Sequence, residues 1–288
     1  MPAQYSSFRP CTEPRFASGD WGRAALGQHT PMQNGLLAAL PPEVYERLLP
    51  ELEPVPLPLG WIVHRAGARE GYLYFPISGV VSLSQAAGNV KSAEFALTGS
   101  EGAIGIASFL GGASTPYQVV VLSAGYAYRL PVDRLKREFE HGAALRQLLL
   151  RHTLALVAQT GQIAVCNRHH SLDQQLCRWI LSYLDRSPSI ELTATHELIA
   201  ALLGVRREGV TEAAGELQRA GLIHYSRGRI AVLDRPALES RACECYAVIK
   251  REYDRLIRPK SIVGDAAAHR NGRRSVRIDE AHAHSALA

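Results

Sequence analysis

The sequence predicts an α+β fold: a β-rich N-terminal half, a long helix, and a C-terminal half of short helices and a hairpin. Three observations predict it. Short apolar runs alternate with glycine between Val55 and Pro131, which is typical of strands in a sandwich or small barrel. Apolar residues then recur at helical spacing over about five turns. Finally, two helices separated by a glycine turn precede a basic hairpin.

The composition bounds the class of protein. Of the 288 residues, 47% are hydrophobic and 20% are charged, as in globular proteins with a packed core. The net charge is +5 and nearly all basic residues are arginine. This usage suits contacts with phosphate and guanine, although a biased genome composition would produce it too. Because no apolar run reaches about 18 residues and no signal core is present, we expect a cytoplasmic protein with no membrane partner.

The chain divides into five segments by composition and by the spacing of its apolar residues. Residues 1–32 and 259–288 lack an apolar period and are predicted to be a disordered arm and a disordered tail. Between them we predict a β-domain over 33–140, a long helix over 141–167 and a C-terminal domain over 168–258.

The cysteines predict no metal site and no cofactor. They are odd in number and scattered, which indicates a reducing compartment rather than a disulfide framework. We interpret Cys243-Glu-Cys245 as ordinary helix cysteines, and His169-His170 as a solvated loop pair without a third ligand. The five cysteines are Cys11, Cys166, Cys177, Cys243 and Cys245.

The β-domain is predicted from its strand-like runs. Gly88-Asn89 lies between two of them and suits a tight hairpin. The six runs begin at Trp61, Tyr72, Val80, Ala93, Val119 and Tyr126.

One stripe of the long helix is predicted to be a dimer seam. Its residues follow a spacing of three and four, and polar residues within such a seam fix register and partner number. The alternative is a helix packed against its own domain. We favour a homodimer because the stripe is longer than one small sandwich requires. The predicted seam consists of Leu145, Leu149, His152, Leu156, Gln159 and Ile163.

The C-terminal domain carries the helix-turn-helix pattern. Thr195 is predicted to cap a helix from His196 to Leu203, and Gly204 permits the left-handed turn that ends it. A second helix is predicted from about Arg206 to Ala220, with its apolar residues on one side.

The other side of this second helix is predicted to meet DNA bases. Arg207 is suited to pair with guanine, Glu208 to accept from cytosine, and Thr211 to bond a phosphate. Arg206 and Glu212 complete the polar side. The hairpin that follows carries Arg227 and Arg229 at its tip, which suits a wing lying on phosphates. Thr195 is included in the predicted interface.

These residues resemble the Crp/Fnr family of bacterial regulators over about residues 34–257. The segment THELIAALLGVRREGVT, starting at Thr195, contains the family's Arg-Glu-x-Val recognition motif, and the hairpin from Gly221 to Ile230 matches the family's wing. The resemblance implies a β-roll (a jelly-roll-like double-stranded β-helix) and a winged helix-turn-helix. It also implies a homodimer on double-stranded DNA with a palindromic operator, and RNA polymerase as a partner.

The sequence departs from the family in the recognition helix and in the β-domain. Arg206 replaces the usual Ser or Thr cap, and Glu212 stands where the family has arginine. Cyclic-nucleotide binders use a Gly-Glu pair and an Arg-Ser/Thr pair, but 105–131 contain no Asp or Glu and only Arg129. With a lone Cys11 near the N-terminus, a four-thiolate cluster cannot form there.

We therefore expect a regulator that is not controlled by cyclic AMP. Two alternatives remain open: a small ligand bound through non-standard pocket residues, and an interaction module that has lost DNA binding. We expect no enzyme, because no nucleophile elbow, P-loop or HExxH motif occurs.

Overall fold

The β-domain contains the six predicted strands and one more. In this computed structural model, residues 29–85, 93–112 and 114–257 are described. The additional strand, Glu53–Leu57, contains two prolines, which is why its sequence did not indicate a strand. The strands are β1 Glu53–Leu57, β2 Ile62–His64, β3 Tyr72–Pro76, β4 Val80–Gln85, β5 Ala93–Thr98, β6 Gln118–Ser123 and β7 Gly125–Pro131.

The strands form two antiparallel sheets that enclose an apolar core. One sheet has the order β1-β7-β3 and the other β2-β6-β4-β5. Trp61 and Tyr74 pack edge to face inside, with ring centroids 5.9 Å apart. β4 and β5 pair as a predicted hairpin requires, while Gly88-Asn89 itself lies outside the described residues. The expected β-roll is confirmed.

Helices flank the β-domain on both sides in sequence. Pro31–Gln33 forms a 3-10 turn with Pro31 buried, so the last residues of the predicted arm are structured. The rest of the arm and the predicted tail lie outside the described residues. The helices are α1 Gly35–Ala38, α2 Pro42–Leu48, α3 Val132–His141 and the long α4 Ala143–His169.

The C-terminal domain has the predicted helix-turn-helix and wing. The first helix of the motif spans the predicted residues, and the second begins one residue later than expected. Two further helices, α8 and α9, follow the wing. The elements are α5 Leu172–Leu184, β8 Glu191–Thr193, α6 His196–Leu203, α7 Arg207–Arg219, β9 Ile223–Ser226, β10 Arg229–Val232, α8 Arg235–Arg241 and α9 Glu244–Ile257. None of the helices in the described residues combines the length and apolar character needed to cross a membrane.

The C-terminal domain packs directly on the β-domain. Val80, Leu97 and Leu122 of the four-stranded sheet share one core with α5, α6 and α7. A buried polar contact accompanies this core: Glu94 accepts hydrogen bonds from the Ser82 hydroxyl at 2.6 Å and from Trp179 Nε1 at 3.0 Å. The contact therefore joins a strand of one domain to a helix of the other.

The buried Glu94 carboxyl predicts a pH dependence of stability. Burial raises its pKa from 4.5 to about 7, although hydrogen bonds from Ser82 and Trp179 and the charges of Arg178 and Arg186 oppose the shift. The folded chain thus keeps a proton that the unfolded chain loses above pH 4.5, so stability falls as pH rises through this window. We expect Glu94→Gln to gain up to about 3 kcal/mol over the parent between pH 5 and 8. Thermal midpoints measured across this range test the difference.

The control for this prediction is Glu191→Gln, because Glu191 is exposed. Its midpoint curve should run parallel to that of the parent at every pH. Parallel curves for Glu94→Gln as well would show that the buried carboxyl titrates as it does in the unfolded chain.

Candidate nucleic-acid interface

The second helix of the motif, α7, presents the predicted polar side to solvent. Its other side is buried through four apolar side chains, which orient the helix against α5 and α6. The interface predicted from sequence is therefore free to meet a groove. The exposed residues are Arg206, Arg207, Glu208, Thr211 and Glu212, and the buried ones Val210, Ala213, Ala214 and Leu217.

The start of α7 has free backbone amides. Arg206 occupies the cap position in extended conformation, and its guanidinium, which has no acceptor atom, cannot cap the first turn. A Ser or Thr at this position would have satisfied one of these amides. The unsatisfied amides and the helix dipole together favour a phosphate at this end.

The wing is a two-residue turn between β9 and β10. Arg227 has φ +48° and Gly228 has φ +78°, a pair of positive values that is typical of the hairpin turn whose twist matches the strands. The Gly228 carbonyl accepts from the Ala194 amide at 2.8 Å, so the turn is fixed next to α6. Arg227 and Arg229 are both exposed, as predicted for phosphate contacts.

Thr195 and Thr211 have structural partners. Thr195 caps α6 by accepting from the Leu198 amide at 3.2 Å, as predicted. The Thr211 hydroxyl donates to the Arg207 carbonyl at 3.1 Å and lies 2.9 Å from His196 Nδ1. Since the hydroxyl hydrogen is used, His196 Nδ1 is the donor in that contact. Thr211 stays exposed, so its predicted phosphate contact remains a prediction.

Sequence reasoning missed His196, which connects the motif to the wing. Its imidazole stacks on the Tyr225 ring with centroids 4.0 Å apart. Burial lowers the pKa of His196, and the nearby charge of Arg207 lowers it further. A neutral imidazole therefore joins α6, α7 and β9. In the sequence, His196 is only a histidine directly after the helix cap. No sequence pattern distinguishes it there from an ordinary surface residue.

The residues of the predicted dimer seam are buried against their own chain. All six of its residues are at most 5% exposed within a single chain. His152 Nε2 lies within hydrogen-bond distance of the Ala103 backbone, and Gln159 Nε2 donates to the Leu97 carbonyl at 3.3 Å. The alternative considered above, a helix packed against its own domain, is correct for this face. The residues concerned are Leu145, Leu149, His152, Leu156, Gln159 and Ile163.

A second apolar stripe of α4 is exposed instead. Leu150, Leu154 and Val157 are 47%, 51% and 61% exposed, and Gly161 and Ala164 continue the same spacing of four and three. Such spacing is that of a coiled-coil seam, and small residues let two helices approach closely. The long helix is thus apolar on two faces, one covered by its own chain and one open.

The described part of the β-domain has no buried arginine or lysine to hold a cyclic phosphate. Arg129 pairs with Glu53 at 2.8 Å and lies over the Tyr72 ring on the β1-β7-β3 sheet. No arginine or lysine side chain is buried in the described part of the β-domain. Next to Gly105 lies His64, whose pKa is lowered to about 4 by burial. The buried carboxyl of Glu70, whose pKa burial raises, accepts from the Ser108 amide at 3.2 Å. This set lacks the cationic partner that a cyclic phosphate needs.

The two cysteines that we interpreted as ordinary helix residues, Cys243 and Cys245, belong to a cluster of possible metal ligands. The sulfurs of Cys166, Cys243 and Cys245 and an imidazole nitrogen of His170 all lie within 4.8 Å of one another. The expectation that His170 has no third ligand candidate nearby is therefore wrong. Hydrogen bonding to Cys243 and the charge of Arg178 lower the pKa of Cys166 to about 5, whereas the pKa of Cys243 is raised.

Comparisons with known proteins match both domains. The model of the cyclic nucleotide-binding domain matches residues 54–141, and that of the Crp-like helix-turn-helix domain matches residues 174–241. Together the two matches cover more than half of the chain. The global nitrogen regulator of Synechococcus elongatus is 23% identical over 178 residues, which are 59% of this chain and 80% of that protein.

Solved structures share the fold. FixK2 from Bradyrhizobium japonicum superposes with a TM-score of 0.58 at 12% identity, covering 67% of this chain and 98% of that one. A putative transcriptional regulator of the crp/fnr family from Eubacterium rectale superposes with a TM-score of 0.57 at 20% identity, covering 71% and 96%. At these identities the likeness shows the fold alone, whereas the matched domain models identify its two parts.

Proposed function

We propose that this chain, a DNA-binding transcription regulator that belongs to the Crp/Fnr family, acts as a homodimer on a palindromic operator. The observation that carries the proposal is the exposed basic start of α7 beside a wing with two exposed arginines. In a two-fold dimer each recognition helix enters one half-site, and the half-sites lie about one helical turn apart.

Selection of bound fragments from genomic DNA tests this proposal. The purified full chain should enrich fragments with a shared two-fold sequence, and a gel shift on one such fragment should saturate at two chains per duplex. Fragments without two-fold symmetry, or no retained DNA at low salt, would contradict it.

The exposed stripe of α4 is the proposed dimer seam. Two copies of a helix with this spacing bury their apolar residues against each other, and a charge placed in the seam would be buried without a partner. We expect Val157→Glu to convert the dimer to a monomer and to lower operator affinity more than roughly 100-fold, because each half-site is then bound alone. Analytical ultracentrifugation and a gel shift measure the two effects.

The matched control is Arg151→Glu, an exposed position of α4 outside the stripe. The Arg151→Glu variant should remain dimeric. If Val157→Glu also remains dimeric, the dimer forms through a surface other than this stripe.

We further propose that cyclic AMP does not control this regulator. Support comes from the absence of buried arginine and lysine side chains in the described β-domain, next to a buried Glu70. Calorimetric titration with cyclic AMP and cyclic GMP should give no heat of binding at millimolar nucleotide. Micromolar binding of either would show that non-standard residues hold the phosphate.

The same proposal places the protein in the cytoplasm, without a membrane partner and with RNA polymerase as a second partner, and it assigns no catalytic activity. The polymerase partner is proposed because a regulator on its operator is placed next to the polymerase that transcribes the gene. Pull-down of purified polymerase on operator DNA, with and without the regulator, is the direct test of contact between the two.

A further inference from the structure

The cluster at the end of α4 has the geometry of a single-metal site. Cys166 Sγ lies 3.5 Å from Cys243 Sγ, and Cys245 Sγ lies 3.4 Å from His170 Nδ1. Tetrahedral bonds of about 2.3 Å to sulfur place ligand atoms about 3.8 Å apart. Ligand atoms within 4.8 Å of one another therefore need only small side-chain movements to enclose one ion.

The ligands come from two elements that are distant in sequence. Cys166 lies in the last turn of α4, and His170 follows one turn later at the cap of that helix. Cys243 and Cys245 flank the first residue of α9. An ion held between them would connect the end of the long helix to the C-terminal helix of the DNA-binding domain.

The surroundings of the cluster are those of bound thiolates. Arg178, 2% exposed, donates from Nε to Cys166 Sγ at 3.2 Å. A buried guanidinium requires negative charge nearby. The charge of Arg178 acts on the buried Glu94 carboxyl, whose pKa burial raises, and on the Cys166 thiol, whose pKa it lowers. Three thiolates and one divalent ion carry a net charge of about −1, which this arginine neutralises. Gln162 Nε2 donates to Cys245 Sγ at 3.1 Å.

The histidine is oriented for ligation. Its Nε2 lies 3.3 Å from the Glu244 carboxylate, a contact that favours the tautomer with the proton on that nitrogen. The lone pair of Nδ1 then points toward the sulfurs. A carboxylate that holds the far nitrogen of a ligating histidine is a recurring feature of zinc sites.

We propose that Cys166, His170, Cys243 and Cys245 bind one Zn²⁺ ion in a closed structural site that fixes the DNA-binding domain to the end of α4. Three thiolates and an imidazole suit zinc, and a site with four protein ligands leaves no position open for catalysis. A multi-iron cluster holds its ligands farther apart than a single ion does. The short Cys166–Cys243 distance makes a disulfide the competing chemistry.

Metal analysis of the full chain, purified under reducing conditions with zinc added, tests the site. We expect one zinc per chain. Replacement by Co²⁺ should give the visible bands of tetrahedral cobalt together with thiolate charge-transfer absorption. Removing zinc with a chelator should lower the thermal midpoint by about 10 °C, and adding zinc back should restore it.

Two variants and one control make the test specific. His170→Gln and Cys245→Ser should retain less than about 0.1 zinc per chain, and the partly exposed histidine can be changed without opening the core. Cys177→Ser is the matched control, because Cys177 is buried and free but lies outside the cluster. It should keep one zinc per chain.

Four results would overturn the inference. They are a chain that stays metal-free when reconstituted, a Cys166–Cys243 disulfide in freshly purified protein, iron and sulfide in place of zinc, and equal zinc loss in Cys177→Ser and Cys245→Ser. A zinc-loaded chain that binds no DNA would count only against the proposed regulator function, so the two failures are distinguishable.

Discussion

Arg207→Ala is expected to lower the affinity for the selected operator by roughly 30-fold or more and to relax the base preference at one position of each half-site. The guanidinium is exposed at the first position of α7 and makes no ion pair among the described residues. A bidentate contact with guanine contributes about 1–3 kcal/mol, and a dimer loses it twice. Quantitative gel shifts on the operator and on single-base variants measure both effects.

The matched variant for Arg207 lies in the wing. Arg227→Gly removes a positive charge without straining the turn, because glycine adopts the positive φ that Arg227 holds. It should weaken binding to all sequences alike and reduce the salt dependence by about one phosphate contact per chain. Equal loss of base preference in the two variants would show that α7 does not read the bases.

Local sequence signals predicted the helix-turn-helix well. Thr195 and Gly204 define the two ends of α6 by side-chain capping and by a left-handed backbone, and both effects act within a few residues. The wing was equally predictable, because its turn lies between two β-rich runs. The exposed interface followed directly, since burial of one side of α7 leaves the other side free.

The stripe of α4 that was predicted as a dimer seam is buried against its own chain. The prediction was wrong for this face because periodicity identifies an apolar face but not its partner. The α4 helix has two such faces. The face with His152 and Gln159 was predicted as the seam because its stripe is longer than one small sandwich requires, yet here these two residues bond the backbone of the β-domain. The less regular stripe through Val157, with a glycine and an alanine, is the exposed one.

The thiol cluster was beyond sequence reasoning for a different reason. Cys166 and Cys243 are 77 residues apart, and neither segment contains a complete ligand pattern. Only the packing of α9 along α4 brings the two halves together. When two segments distant in sequence each supply half of the ligands, the site can be recognised only once the fold is known.

Arg186→Ala is expected to lower the free energy of unfolding by about 3–5 kcal/mol. Arg186 is 8% exposed, and its Nε lies 2.6 Å from Glu101 Oε1. Its other nitrogens donate to the Ser182 carbonyl at 2.8 Å and to Gln159 Oε1 at 3.3 Å. One side chain thus joins α5, α4 and the loop after β5, and its loss leaves the Glu101 carboxylate without its counter-charge. Urea denaturation of the reduced full chain measures the change.

The control for Arg186 is an ion pair of similar geometry in solvent. Arg47 lies 2.9 Å from Glu138, but its side chain is 49% exposed, so Arg47→Ala should leave the free energy of unfolding nearly unchanged. The double variant Arg186→Met with Glu101→Gln should recover much of the loss, because no charge is then left buried alone. If Arg186→Ala costs no more than Arg47→Ala, the two domains do not depend on this ion pair, and apolar packing on the four-stranded sheet alone holds them together.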